Sequence, residues 1–141
     1  MIYVDTSVVL GQLLAEDRHP PASFWDEEGL ISSRLLEHET WTRLHGRGLG
    51  ESHGEDLRAL LARLSFLELA APILARALEP FPIPVRTLDA LHLASVEFLV
   101  SLGQRPSLAT YDRRLAAAAS AIGIPLFDLA APDVASADLT A

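Results

Sequence analysis

The stretch Ile2-Tyr3-Val4-Asp5-Thr6-Ser7 decides how the rest of the chain is read. Three β-prone apolar residues have the pattern of a short buried strand, and an acid and two hydroxyls follow at once. Either hydroxyl or the carboxylate can cap a helix over residues 8–14. The alternation then repeats. Residues 29–32, 66–69, 107–110 and 124–127 read as further short strands. His19-Pro20-Pro21-Ala22-Ser23 reads as a loop leading into a short helix through Phe24 and Trp25. Helices are predicted over 33–45, stopped by Gly46, Gly48 and Gly50, then over 55–64, and from Pro72 until Pro80, Pro82 and Pro84 end that segment. The longest helix spans 87–102 and closes at Gly103, and a last one spans 113–122. Strands alternating with helices predict an α/β fold with a mostly parallel central sheet. Residues 1–141 form one domain on this reading, with a loose tail from about residue 130.

Composition narrows the classes. A 141-residue chain fits one ordinary domain and buries about 70% of its unfolded surface, enough for a core without staples. With no Cys there is neither a disulfide framework nor a thiolate zinc site. No apolar run is long enough to span a bilayer, and the first residues lack a basic leader, so a cytoplasmic protein is expected. The net charge of −8 argues against indiscriminate nucleic-acid binding. All eleven basic residues are Arg, which suits bidentate phosphate recognition, although a lysine-free, Ala/Leu-rich chain is more economically a mark of genome composition.

Open parallel sheets bind ligands outside the carboxyl ends of their strands. Asp5 ends the first strand and Asp112 lies just past the fourth, so both face one crevice if those strands are neighbours. On the long helix Asp89, Leu93, Val96 and Val100 share a face, which sets the Asp89 carboxylate at the top of an apolar stripe and in the first turn, where the helix dipole favours it. A carboxylate there must be paired, hydrogen-bonded or metal-bound, or else it only helps to cap its own helix. Around Glu37 and Glu39 the helix has no clean apolar stripe, and periodicity does not choose between them.

Four segments carry a resemblance: Tyr3-Val4-Asp5-Thr6-Ser7, Ser32-Ser33-Arg34-Leu35-Leu36-Glu37-His38-Glu39, Leu88-Asp89-Ala90-Leu91-His92-Leu93-Ala94 and Ala109-Thr110-Tyr111-Asp112. In order and type they resemble the acidic motifs of PIN-domain proteins over nearly the whole chain, and the small size is similar to VapC-type toxins. The resemblance implies a PIN-like three-layer α/β/α sandwich and a metal-dependent endoribonuclease acting as the toxin of a toxin–antitoxin pair. It implies that Asp5, Glu39, Asp89 and Asp112 hold one or two Mg²⁺ or Mn²⁺ ions, with Glu37 as the alternative second acid. Hard divalent cations suit this oxygen donor set. Thr6, Ser7 and Thr110 can orient the acids, or serve as helix caps and loop polarity only. Arg86, Arg113 and Arg114 are candidates for RNA phosphate contact, or else solvated surface groups.

The resemblance also implies an RNA substrate, a VapB-like antitoxin whose C-terminal segment wraps the toxin, and a homodimer. Phe24, Trp25, Trp41 and Leu44 can form an apolar groove for the antitoxin or else pack in the core. His92, near the apolar face of its helix, reads as a hydrogen-bonded packing histidine rather than a ligand. Competing chemistries fail on residues. A zinc-protease helix needs His where Thr42 stands, a haloacid-dehalogenase-like site needs Asp where Ser7 stands, and a response-regulator receiver needs a lysine. The alternative of another class is a PIN-like binding or scaffold module without catalysis.

Overall fold

The computed structural model of the chain describes residues 1–130. Its sheet has four parallel strands in the order β3-β2-β1-β4: β1 (Ile2–Val4), β2 (Leu30–Ser33), β3 (Ser65–Leu67) and β4 (Ser107–Ala109). Strand alternation builds two cores. Ile2 and Val4 face α1 (Thr6–Leu13), α2 (Arg34–Gly46) and α3 (Gly50–Leu61), packing with Val8, Leu36, Leu44 and Leu57. Tyr3 faces the other way, toward Leu93 and Val96 of α5 (Thr87–Ser101) and Leu115 of α6 (Arg113–Ala121). The short α4 (Ala71–Ala77), with a proline in its first turn, packs on α5. The predicted three-layer α/β/α sandwich is thus the observed one.

Several boundaries move for physical reasons. The predicted fifth strand is a single bridge between Leu126 and Leu108, flanked by hydrogen bonds from Leu108 N to Pro125 O and from Phe127 N to Leu108 O. Pro125 has no N–H with which to extend a ladder. Helix α3 begins at Gly50 instead of residue 55, because one left-handed residue, Gly48 at φ 68°, suffices to turn the chain out of α2. On α5 the buried stripe runs from Leu93 through Val96 to Leu99, while Val100, expected on that face, is 46% exposed. The predicted tail lies, apart from Ala130, outside the described residues.

Of the two readings of Phe24, Trp25, Trp41 and Leu44, core packing is the one observed for most of them. Phe24, Trp25 and Leu44 are core, and Trp41 is half-buried beneath the Arg58 guanidinium and stacked on His45. Trp25 does border a separate shallow hollow of about 350 Å³ with Leu13 and Leu60. Among the described residues no helix is long and apolar enough to cross a membrane.

Candidate active site

Strand β1 pairs with β2 on one side and β4 on the other, so the chain leaves the sheet in opposite directions at this point. Such a switch opens a crevice at the carboxyl ends of the strands. Here it has a volume of about 560 Å³, and Asp5, Glu39, Asp89 and Asp112 all line it.

Each acid arrives by a different local device. Asp5, 6% exposed, is the N-cap of α1. Its Oδ2 accepts from the Ser7 hydroxyl at 2.6 Å and the Thr110 hydroxyl at 2.8 Å, with the Ser7 amide at 3.3 Å. The Ser7 hydroxyl in turn accepts from Tyr111 N at 2.9 Å, and Thr110 Oγ1 accepts from Asp112 N at 2.9 Å. A web of hydroxyls therefore ties the ends of β1 and β4 together around one carboxylate. Asp112 caps α6, its Oδ1 accepting from Arg114 N and Leu115 N.

Glu39 stands on α2 beside the buried row Leu36, Thr40 and Leu44. Its Oε1 accepts from the Thr6 hydroxyl at 2.9 Å and from His92 Nε2 at 2.7 Å. Glu37 points elsewhere and pairs with Arg34 at 3.3 Å. The two are about 200° apart around the helix, since each residue advances about 100°. Thr6, Ser7 and Thr110 thus each touch a crevice acid.

One oxygen of each of three acids is anchored in this way. Asp5 Oδ1, Glu39 Oε2 and Asp112 Oδ2 accept no protein hydrogen bond among the described residues; the nearest cation to Asp5 Oδ1 is His92 Nε2 at 3.8 Å. The acids share the crevice without converging: among the described residues no three Asp, Glu or His side chains form a ready-made metal cage. The donor set still fits a hard cation. Mg²⁺ keeps several waters and takes only one or two carboxylates, and a roomy crevice lined by free carboxylate oxygens suits that mode.

Electrostatics mark the crevice. Burial, then the charges of Asp112 and Asp5, raise the Asp89 pKa above the usual carboxylate range, against a hydrogen bond from the Arg86 backbone. Burial alone would lower the His92 pKa, but the Tyr3 hydroxyl, the Glu39 hydrogen bond and the charges of Asp5 and Glu39 push it up to about 10. The imidazolium offsets part of the negative charge that the acids gather.

Asp89 yields a stability prediction. An acid whose folded pKa exceeds its unfolded one ionises more easily when unfolded, so at neutral pH it costs stability, and the cost fades as pH falls through the folded value. Asp89→Asn should therefore raise the metal-free melting temperature by about 2 °C, a modest gain because the group is partly solvated. Thermal melts in EDTA at pH 7.5 and pH 4 check it: the gain should shrink at the lower pH.

Of the three candidate arginines only Arg86 lines the crevice; Arg113 and Arg114 are exposed on α6 outside it. The chain supplies two others, Arg18 and Arg43. Arg43 lies one turn beyond Glu39, a spacing visible in the sequence. Arg18 lies over the Tyr111 ring at 5.6 Å. It gets there because Gly11 has no side chain: a Cβ on Gly11 would sit 2.5 Å from the Arg18 carbonyl oxygen.

The PIN domain family model matches residues 2–121. Ribonuclease VapC35 of Mycobacterium tuberculosis is 31% identical over 129 residues, covering 88% of this chain and 93% of that protein. Ribonuclease VapC46 of the same species is 33% identical over 135 residues, covering 87% and 93%. Among solved structures, VapBC2 from Rickettsia felis, bound to a DNA fragment from its promoter, gives a TM-score of 0.66 at 15% identity, covering 90% of this chain and 98% of that one. Mycobacterium tuberculosis VapC20, a toxin that cleaves the sarcin–ricin loop, gives 0.59 at 21% identity, covering 84% and 95%.

Proposed function

The chain belongs to the PIN-domain family, and from that premise we propose that it is a metal-dependent endoribonuclease, the toxin of a type II toxin–antitoxin pair. The observation that carries this reading is that Asp5, Glu39, Asp89 and Asp112 all line one crevice, each with a fixed backbone origin. The ribonuclease names of the two relatives at 31% and 33% identity support the substrate class.

The residues divide the work. Asp5, Glu39, Asp89 and Asp112 would hold Mg²⁺ or Mn²⁺ through the oxygens that the protein leaves free. The chemistry supplied by such a cation is activation of a water and stabilisation of charge on the phosphate during in-line attack. Ser7 and Thr110 hold Asp5, and Thr6 holds Glu39, so that these carboxylates need no reorganisation when substrate arrives. Arg18, Arg43 and Arg86 bring positive charge to the acidic crevice and offer phosphate contacts to flanking nucleotides.

Arg86→Ala should weaken binding of single-stranded RNA and lower the salt dependence of log K by about 0.7, the share of one phosphate contact. Binding titrations of a catalytically dead background at several salt concentrations check this, and Arg113→Ala and Arg114→Ala should leave the slope unchanged.

The proposed partner is a VapB-like antitoxin, which the VapBC2 complex supports, and the toxin reading implies a cytoplasmic homodimer. The hollow beside Leu13, Trp25 and Leu60 offers apolar surface to an antitoxin helix. Sequencing RNA ends after brief induction tests the reading, because it reports activity and target together. Recurrent new ends in the wild type, absent in a crevice-acid variant, are expected. No new ends, together with tight RNA binding, would favour the non-catalytic binding module.

A further inference from the structure

His92 is only 1% exposed, yet both of its ring nitrogens are engaged. Nδ1 shares a hydrogen bond with the Tyr3 hydroxyl at 2.8 Å, and the two rings meet edge to face with centroids 5.7 Å apart. Nε2 donates to Glu39 Oε1 at 2.7 Å; a carboxylate only accepts, so the hydrogen is on this nitrogen. Tyr3 is itself fully buried in β1, two residues before Asp5. The Thr6 hydroxyl reaches the same Glu39 oxygen. A continuous chain of contacts therefore runs Tyr3–His92–Glu39–Thr6 and draws on β1, α5, α2 and α1.

Two features set this apart from packing. Leucine would fill the space without the cost of burying an imidazole, which is recovered only when its nitrogens are bonded. Further, both donors converge on one oxygen of Glu39 and leave the other free, which fixes the carboxylate's rotation as well as its place. We propose that His92, held in register by Tyr3, is a positioning residue that sets the orientation of Glu39 in the crevice, so that its second oxygen is presented to the cation. The inference rests on the nuclease reading above and adds to it a residue outside the four acids. His92 touches neither cation nor RNA; it acts through Glu39.

The test uses the full chain and three substitutions. His92→Leu removes both hydrogen bonds and keeps apolar bulk. His92→Gln keeps a donor near the Nε2 position and gives up the bond to Tyr3. Tyr3→Phe removes only the hydroxyl. Mn²⁺ affinity is measured by calorimetry, with thermal melts to confirm folding, and the crystal structure of His92→Leu is determined. His92→Leu should lose about ten- to a hundredfold in Mn²⁺ affinity, the usual cost of losing a ligand's supporting partner. His92→Gln should recover most of that loss, and Tyr3→Phe should show a smaller one.

In the crystal structure Glu39 should have left the Thr6 hydroxyl. Wild-type affinity in folded His92→Leu, or a His92→Gln as weak as His92→Leu, overturns the proposal. Should His92→Leu fail to fold, His92→Gln and Tyr3→Phe decide: a loss in Tyr3→Phe exceeding that in His92→Gln contradicts it. If the wild type binds no Mn²⁺, the nuclease reading fails by itself. The positioning role is then judged on the His92→Leu structure alone, where Glu39 still bonded to Thr6 overturns it.

Discussion

Asp5→Asn is expected to cut RNA cleavage by at least about a hundredfold, more than the loss of an outer supporting partner usually costs, while leaving the protein folded. The contrast arises because Asp5 has two separable tasks. As N-cap of α1 it accepts hydrogen bonds from Ser7 and Thr110, and an asparagine oxygen does this about as well. Its other oxygen, Oδ1, accepts no hydrogen bond among the described residues, and there the amide offers NH₂, which cannot ligate a hard cation. The check is steady-state cleavage of a defined RNA beside circular dichroism and a melt of each protein. A folded variant that cleaves at the wild-type rate would remove Asp5 from the chemistry.

Glu39→Gln is expected to lower cleavage by at least about tenfold, and Glu37→Gln to leave it unchanged. The residues are two apart in sequence and face opposite sides of α2. Glu39 reaches Thr6 and His92, whereas Glu37 makes a solvent-screened ion pair with Arg34 that contributes little. A second readout follows from the charge on His92. Without the Glu39 carboxylate, His92 should titrate lower than in the wild type, since one negative charge that favours its protonated form is lost and one hydrogen bond is weakened. NMR titration of the imidazole in both variants checks this, and the Glu37 variant should match the wild type. A reversal of the two activities would transfer the role to Glu37 and leave the observed crevice without a functional meaning.

The contrast between these acids shows what was legible in sequence. Alternating strands and helices gave the layer order, and acids at strand ends gave Asp5 and Asp112, because local pattern and topology agree there. Glu39 was hidden from periodicity for a definite reason. The buried row of α2 has a polar residue at its centre, Thr40, whose hydroxyl bonds back to the Leu36 carbonyl, so the stripe reads as broken. Motif register, rather than hydrophobic pattern, pointed to it.

In sequence His92 reads as a hydrogen-bonded packing residue; it is buried and bonded, but one partner is a crevice acid 53 residues away. Nothing in local sequence reports such a contact. Arg18 was missed for the same reason, since its place depends on Gly11 admitting the returning loop. Arg113 and Arg114 failed as crevice residues because proximity to Asp112 in sequence does not survive the turn into α6: Asp112 caps the helix, and the two side chains that follow point out to solvent.

The electrostatic pattern is that of a site held ready at some cost to stability. Asp89 carries a pKa raised by burial and by Asp112 and Asp5, and Asp5 and Glu39 are largely buried in the same crevice. Such crowding is retained where function needs it. In the proposed nuclease this crowding serves to hold a divalent cation for RNA cleavage. The most direct measurement is cleavage of a labelled RNA by the purified protein in EDTA, followed by titration with Mg²⁺ or Mn²⁺, with Asp5→Asn alongside. No cleavage in EDTA, saturable recovery with either metal, and none in the variant are expected. Cleavage that persists undiminished in EDTA, or that Asp5→Asn supports as well as the wild type, would contradict the metal-dependent reading.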